Sequence, residues 1–258
     1  DSDPQVAPLM GIDPTALLDG ATPRLIDEWQ AQPRLWNYIR HAVDDRSGKG
    51  QFILTGSANP AEEVSMHSGA GRFIELHMHT MSWQELGYSD GYVSLAGLFD
   101  GKPIKAKEYK TDIHTIIQRL VIGGWPGLVG LNEADARQVN TSYVRLLTEV
   151  DLSRESDVKR DPVRVRYLLQ SLARNLSTIT EVSTFIRDIQ NVAGDDISRP
   201  TVVDYLDALD RLMIIEDQPA WNTHIRSSAK LRKSPRRHFA DVSLAIACLG
   251  LDSSALFS

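Results

Sequence analysis

The chain has 258 residues, of which 42% are hydrophobic and 24% charged, so it can bury the core of one large domain or of two smaller ones. Its formal net charge of -6 excludes a wholly basic nucleic-acid binder, and its single cysteine excludes an internal disulfide. No apolar run approaches the roughly 20 residues that span a bilayer, and no secretory signal opens the chain, so we expect a cytoplasmic protein without a membrane partner.

The first part of the chain alternates apolar strands with a helix. The run PRLIDE at 23–28 predicts a short buried strand, and PRLWNYIRHAVDDR at 33–46 has the apolar spacing of a helix. A second apolar strand, QFILTGSA, follows at 51–58, and RFIELHMH at 72–79 is expected to form a third. Strand, helix and strand in this order favour a parallel sheet with a crossover helix.

Polar side chains follow both predicted strands at the point where each strand ends. Asp27 and Glu28 follow the first strand, and Thr55 and Ser57 follow the second. Ligands of parallel α/β sheets bind at this edge, where an aspartate can hold magnesium and a glutamate can orient water for phosphoryl transfer. The hydroxyls of the second strand can reach the same phosphate or water. The two acids alone fit a solvated turn equally well.

From about residue 111 the periodicity becomes helical. Three helices are predicted in TDIHTIIQRLVIGGWPG, EADARQVNTSYVRLLTEVD and DPVRVRYLLQSLARNL, the first of them ended by a glycine pair. Two more follow in EVSTFIRDIQ and SRPTVVDYLDALDRL, where Ser198 is a predicted N-cap, and MIIED predicts a strand. Helix, helix, turn, helix and strand is the order of a winged helix-turn-helix.

The segment from 218 to 240 contains no acidic residue, which makes it a candidate for binding phosphate backbones. Arg199 opens the helix that would enter a DNA groove, whereas Asp204 and Asp207 on that helix would repel phosphates. A winged helix that packs or binds a protein partner therefore fits the same residues. The candidate nucleic-acid contacts are Arg199, Lys230, Arg232, Lys233, Arg236 and Arg237.

Taken together, these blocks resemble the bacterial and archaeal AAA-type ATPases that carry a C-terminal winged helix and, beyond it, a restriction-endonuclease-like region of uncertain function. The resemblance also includes SGAGRF, GGWPG and LRKSPRRHFADVSLA and covers most of the chain in the right order. It implies an α/β fold with a partial parallel-sheet P-loop NTPase (AAA+) core at 1–110 and a helical lid at 111–160. A winged-helix domain would follow at 161–240, and the start of a truncated C-terminal domain at 241–258.

The same resemblance implies an ATPase that uses ATP and Mg2+. It makes Asp27 and Glu28 the Walker B pair, which holds magnesium and orients the attacking water, and it assigns Thr55 and Ser57 to sensor 1. Arg72 falls where the family has an arginine that serves the γ-phosphate as a finger or as an in-chain sensor, with a surface ion pair as the alternative. The resemblance allows a DNA or protein partner at the winged helix, and a homo-oligomer.

The sequence departs from the family pattern in two places. His79 and Thr80 stand where the family has Arg-Pro, and a histidine pair at 77 and 79 raises the alternative of a metal site. No G-x-x-x-x-G-K-[ST] motif precedes the Walker B strand, so we expect a fragment of a longer ATPase that is inactive by itself. A non-enzymatic DNA- or protein-binding winged-helix module is the rival hypothesis, and a nuclease built around Asp241 is a third.

Overall fold

The computed structural model describes residues 6–57, 71–104, 111–152, 160–194, 196–220 and 234–257. The chain divides into two compact units. The first comprises Asp1–His77 with Arg211–Met213, and the second comprises Met78–Asp210 with Ile214–Ser258. No helix in the described ranges has the length and apolar character needed to cross a membrane.

A two-stranded parallel sheet organises the first unit. Strands β1 and β2 pair with Leu25 opposite Ile53, and helix α2 lies between them in the chain, so the predicted strand, helix and strand with parallel pairing are confirmed. The elements of this unit are α1 (Val6–Ile12), a 3-10 turn (Pro14–Leu18), β1 (Arg24–Ile26), a 3-10 turn (Trp29–Ala31), α2 (Leu35–Asp45) and β2 (Phe52–Leu54).

One face of this sheet is covered by the core of the first unit. Ile26, Phe52 and Leu54 pack against a cluster built from Leu35 and Ile39 of α2 and from Leu18. On the opposite face, Leu25 is 61% exposed and Ile53 is 49% exposed. The strand over this run is confirmed, but the prediction that it is buried is wrong. Side chains alternate between the two faces of a strand, and the described elements cover one of them.

The predicted third strand over 72–79 is also wrong. Ile74 and Leu76 alternate with polar residues as strand residues do, but they are 91% and 84% exposed. None of the strands in the described residues pairs with this segment. A strand is defined by its hydrogen-bonded neighbour, which an alternating sequence cannot supply by itself.

Helices dominate the second unit, and the helices predicted from residue 111 onward are confirmed. Side chains cap several of them: Asp112 accepts a hydrogen bond from the Thr115 N–H, and Asn132 accepts one from the Asp135 N–H. The helices are α3 (Leu95–Phe99), α4 (Ile113–Ile122), α5 (Glu133–Leu146, continued by a π turn, Leu147–Asp151), α6 (Pro162–Arg174), α7 (Val182–Ala193), α8 (Arg199–Arg211), α9 (Val242–Leu249) and α10 (Ser253–Phe257).

A β-hairpin follows the three helices α6, α7 and α8. Strands β3 (Ile215–Gln218) and β4 (Arg236–Phe239) pair antiparallel, and Ile179, which lies between α6 and α7, bridges to Arg236. At the start of α8 the Thr201 N–H lies 3.3 Å from Ser198 Oγ, as the N-cap prediction requires. Three helices are thus joined to a two-stranded sheet, to which Ile179 adds a single bridging residue.

Candidate functional site

The carboxyl ends of β1 and β2 are hydrogen-bonded to each other beyond the last paired residues. The Thr55 N–H donates to the Ile26 carbonyl at 3.0 Å, and the Trp29 N–H donates to the Thr55 carbonyl at 3.2 Å. Between these bonds lies Glu28, whose φ of 52° and ψ of 42° are left-handed, which is uncommon for a residue other than glycine. This tight turn places the side chains of both strand ends at one edge of the sheet.

At this edge the structure brings together the four residues that the sequence predicts for the site. The Thr55 hydroxyl donates to Asp27 Oδ1 at 2.5 Å, and the Ser57 hydroxyl lies 3.3 Å from Glu28 Oε2. Asp27 and Ser57 are exposed, whereas Glu28 and Thr55 are half-buried. An exposed carboxylate oriented by a hydroxyl suits Mg2+, which keeps several of its waters and takes one or two protein carboxylates.

A fifth residue, Gln30, belongs to this cluster and was not predicted from the sequence. Its side-chain NH2 donates to Glu28 Oε2 and lies 3.3 Å from Ser57 Oγ. Its other amide atom fills the space beside Gly56, where an added Cβ would lie 2.3 Å from Gln30 Oε1. The glutamine stands directly after the acid pair in RLIDEWQ, but only the folded structure shows that it reaches the second strand.

Arg72 forms the surface ion pair that is the alternative to a phosphate contact. Its Nε lies 2.6 Å from Asp44 Oδ1 at the end of α2. The hydrogen bond from Arg72 lowers the pKa of the Asp44 carboxyl, and the same contact raises the pKa of Arg72. The next residue, Phe73, stacks on Trp36 with ring centroids 4.0 Å apart, so the segment that carries Arg72 is attached to α2 at two points.

The second unit contains the basic residues predicted to bind nucleic acid and the acidic residues of α8 that would oppose such binding. Arg199 is exposed at the start of α8, and Arg236 is exposed on β4. Along the same helix, Asp207 and Asp210 are exposed. Burial is the main cause that raises the pKa of Asp217; Arg237 lowers this pKa, and Asp210 and Asp207 raise it by smaller amounts. The exposed face of α8 is thus mainly acidic. Lys230, Arg232 and Lys233 lie outside the described residues.

Arg237 lies inside the fold, although the sequence groups it with the phosphate contacts. Its side chain is 14% exposed and its Nε lies 3.1 Å from Asp217 Oδ1. One further N–H donates to the Thr180 carbonyl at 3.1 Å, and the guanidinium stacks over Phe185, 5.6 Å from the ring centroid. These contacts connect the hairpin to α7 and to the segment before it.

We expect Arg237→Ala to lower the free energy of unfolding by about 2 kcal/mol, because it removes charge-assisted hydrogen bonds and leaves their acceptors without a partner. Arg236→Ala is the matched control. It removes an exposed arginine from the neighbouring position and should cost about 0.5 kcal/mol or less. Urea unfolding of both variants measures the difference. Equal losses would show that the contacts of Arg237 contribute nothing special.

Asp241, the candidate nuclease residue, uses both of its carboxylate oxygens within the second unit. Its Oδ2 accepts the Gly124 N–H at 2.8 Å, and its Oδ1 accepts the Ser243 N–H at 2.9 Å at the start of α9. Gly123, at φ 88°, has no room for a side chain, since an added Cβ would lie 2.4 Å from Ser243 Oγ. The GGWPG turn and the helix after Asp241 are therefore joined by this carboxylate.

The single cysteine, Cys248 on α9, has no nucleophile-like environment. Burial raises the pKa of its thiol to about 12. A thiol with such a pKa stays protonated at neutral pH, and it is the thiolate that reacts. Cys248 is therefore not a candidate nucleophile, and the cluster of Asp27, Glu28, Gln30, Thr55 and Ser57 remains the candidate site.

Comparison with known families assigns the two parts of the chain separately. Residues 11–87 match the family model of an AAA domain, a range that contains β1, β2 and the whole cluster, and this supports an AAA-type ATPase relationship. Residues 113–255 match a family described as a domain of unknown function, DUF8612. That range is more than half of the 258 residues, so the chain belongs to the DUF8612 family. No curated protein matches the chain.

Proposed function

We propose that the chain supplies the magnesium- and water-positioning half of an ATP-hydrolysing AAA-type site. One observation carries the proposal: of two parallel strands, one is followed by two acids and the other by two hydroxyls, and these side chains are hydrogen-bonded across the strand ends. The cluster lies within the part of the chain that matches an AAA domain. A pair of acids in a solvated turn would not require hydroxyl partners from a neighbouring strand.

Each side chain of the cluster has a distinct part in this chemistry. Asp27, oriented by Thr55, would hold Mg2+, which when bound neutralises the developing charge on the phosphate oxygens. Glu28, held by Ser57 and Gln30 through Oε2, accepts the proton of the attacking water. Arg72 would approach the γ-phosphate only by leaving its ion pair with Asp44.

The groups that bind the triphosphate itself are assigned to a P-loop outside these 258 residues. The sequence contains no G-x-x-x-x-G-K-[ST] motif, and the amides and lysine of that motif bind the β- and γ-phosphates. Without them the acid pair repels a triphosphate. The chain alone should therefore bind ATP no more tightly than about 1 mM, a free energy of about -4 kcal/mol.

The second unit is proposed to contain a winged helix that responds to the nucleotide state. In support, α6, α7 and α8 are followed by the β3–β4 hairpin, and Ile179 bridges to β4 from between the first two helices. Asp207 and Asp210 on the exposed face of α8 favour a protein partner over DNA, because phosphates would be repelled there. This acidic face also supports the second candidate function, a non-enzymatic docking module.

The proposed magnesium role is tested with Asp27→Asn in the P-loop-bearing protein, by which we mean the longer ATPase that would contain these 258 residues and a P-loop. We expect Mg2+ to tighten binding of a fluorescent ATP analogue to the unchanged protein, and the substitution to weaken that Mg2+-dependent binding by about 10- to 100-fold. In EDTA the substitution should not weaken binding, because Asp27 acts through the ion, and the loss of one repelling charge should tighten binding slightly.

Asp45→Asn is the matched control, because it removes the same charge from an exposed position on α2. Equal effects of the two substitutions would refute a specific role for Asp27. Micromolar binding of ATP by the 258-residue chain alone would refute the assignment of the phosphate grip to an outside P-loop.

A further inference from the structure

We infer that Gln30 is the positioning residue of Glu28, an inference that rests on the proposed hydrolytic role of Glu28. Its amide group bridges the acid at the end of β1 and the hydroxyl of Ser57 after β2. The residue thereby fixes the water-orienting carboxylate against the neighbouring strand end.

The backbone explains how a residue so close to Glu28 can turn back onto it. Glu28 is left-handed, and the 3-10 turn Trp29–Ala31 follows directly, closed by the Ala31 N–H to the Glu28 carbonyl at 2.9 Å. Gly56 leaves room for the glutamine amide, because a Cβ at this position would lie 2.3 Å from Gln30 Oε1 and the amide would have to move.

The hydrogen bonds on Glu28 leave its second oxygen available for chemistry. Among the described residues, both side-chain bonds to Glu28 reach Oε2, one from Gln30 and one from Ser57. Two donors on one oxygen fix the rotation of the carboxylate and leave Oε1 to accept a proton from water. Positioning of this kind lowers the barrier because the base is held in reactive geometry before the reaction begins.

The orientation of the Gln30 amide follows from the charge that it faces. Its Oε1 is buried and has no hydrogen-bond partner among the described residues. Reversing the amide would pair that oxygen with a solvent-accessible hydroxyl, but would also place it against the Glu28 carboxylate, which accepts and cannot donate. A buried acceptor without a hydrogen-bond partner lowers stability. The hydrogen bond from Gln30 to Glu28 explains why the amide nevertheless keeps this orientation.

Turnover separates positioning of Glu28 from nucleotide binding. In the P-loop-bearing protein, Gln30→Met keeps the length of the side chain and removes its N–H donors. We expect kcat to fall by about 10- to 100-fold with ATP affinity unchanged, whereas Asp27→Asn should weaken Mg2+-dependent nucleotide binding. A Gln30→Met protein with normal kcat would overturn the inference.

Nuclear magnetic resonance of the 258-residue chain tests the contact itself without any need for turnover. The side-chain NH2 signals of Gln30 are assigned by their loss in Gln30→Met. They should shift in Glu28→Ala and in Ser57→Ala, and remain in place in the Asp45→Asn control. Signals that ignore Glu28→Ala would overturn the contact. If these signals respond but the P-loop-bearing protein does not hydrolyse ATP, the contact stands. The proposed hydrolytic function is then refuted, and with it the effect of the contact on catalysis.

Discussion

Glu28→Gln in the P-loop-bearing protein is expected to lower ATP turnover by about a hundredfold to ten-thousandfold, the usual contribution of a positioned general base. Glutamine keeps the size of the side chain and loses the negative charge that accepts a proton. Magnesium is assigned to Asp27 and the triphosphate to the P-loop, so ATP affinity should change little. The expected result is a protein that binds ATP and Mg2+ and does not turn them over.

Single-turnover hydrolysis, measured together with ATP binding, checks this expectation. Asp45→Asn serves again as the control for loss of one negative charge in the same unit, and it should retain normal turnover. Normal turnover in Glu28→Gln would remove Glu28 from the mechanism. A joint loss of binding and turnover would mean that Glu28 supports the fold of the strand end rather than the reaction.

The elements around the candidate site could be predicted from the sequence because their signals are local. The apolar spacing of Leu35 and Ile39 predicts α2, and the short apolar runs on either side predict two strands that must pair in parallel. The position of Asp27 and Thr55 at neighbouring strand ends follows from that topology. The structure adds the hydrogen bond between their side chains.

The features that could not be predicted depend on contacts between distant parts of the chain. Leu25 resembles a core residue until the number of covered sheet faces is known. Gln30 reaches Ser57 only because Glu28 adopts a left-handed turn. Arg237 resembles its neighbour Arg236 in sequence, and its contact with Asp217 distinguishes it only in the folded hairpin.

Asp204 illustrates the same limit with the largest expected effect on stability. The sequence presents it as one more acid on α8, beside Asp207. In the structure it accepts two hydrogen bonds from Arg160, from Nε at 2.9 Å and from Nη2 at 3.0 Å. The Arg160 side chain is 1% exposed, and its Nη1 donates to the Leu152 carbonyl at 3.0 Å. The charge of Asp204 is therefore balanced by Arg160 within the second unit, with 36% of the Asp204 side chain exposed.

We expect Asp204→Ala to lower the free energy of unfolding by about 3 kcal/mol, because it removes two hydrogen bonds and one counter-charge from the buried guanidinium of Arg160. Asp207→Ala, three residues along the same helix and exposed, is the matched control and should change stability by about 0.5 kcal/mol or less. Denaturant unfolding of both variants gives the comparison.

The double variant Asp204→Leu with Arg160→Met tests the explanation, since it removes the guanidinium together with the carboxylate that binds it. It should be considerably more stable than Asp204→Ala, as replacements of whole buried ion pairs by apolar residues often are. The loss in Asp204→Ala should also depend little on salt, because ions screen the buried guanidinium of Arg160 poorly. A double variant as unstable as Asp204→Ala would show that the loss of stability arises from lost packing on α8 and not from the loss of the ion pair.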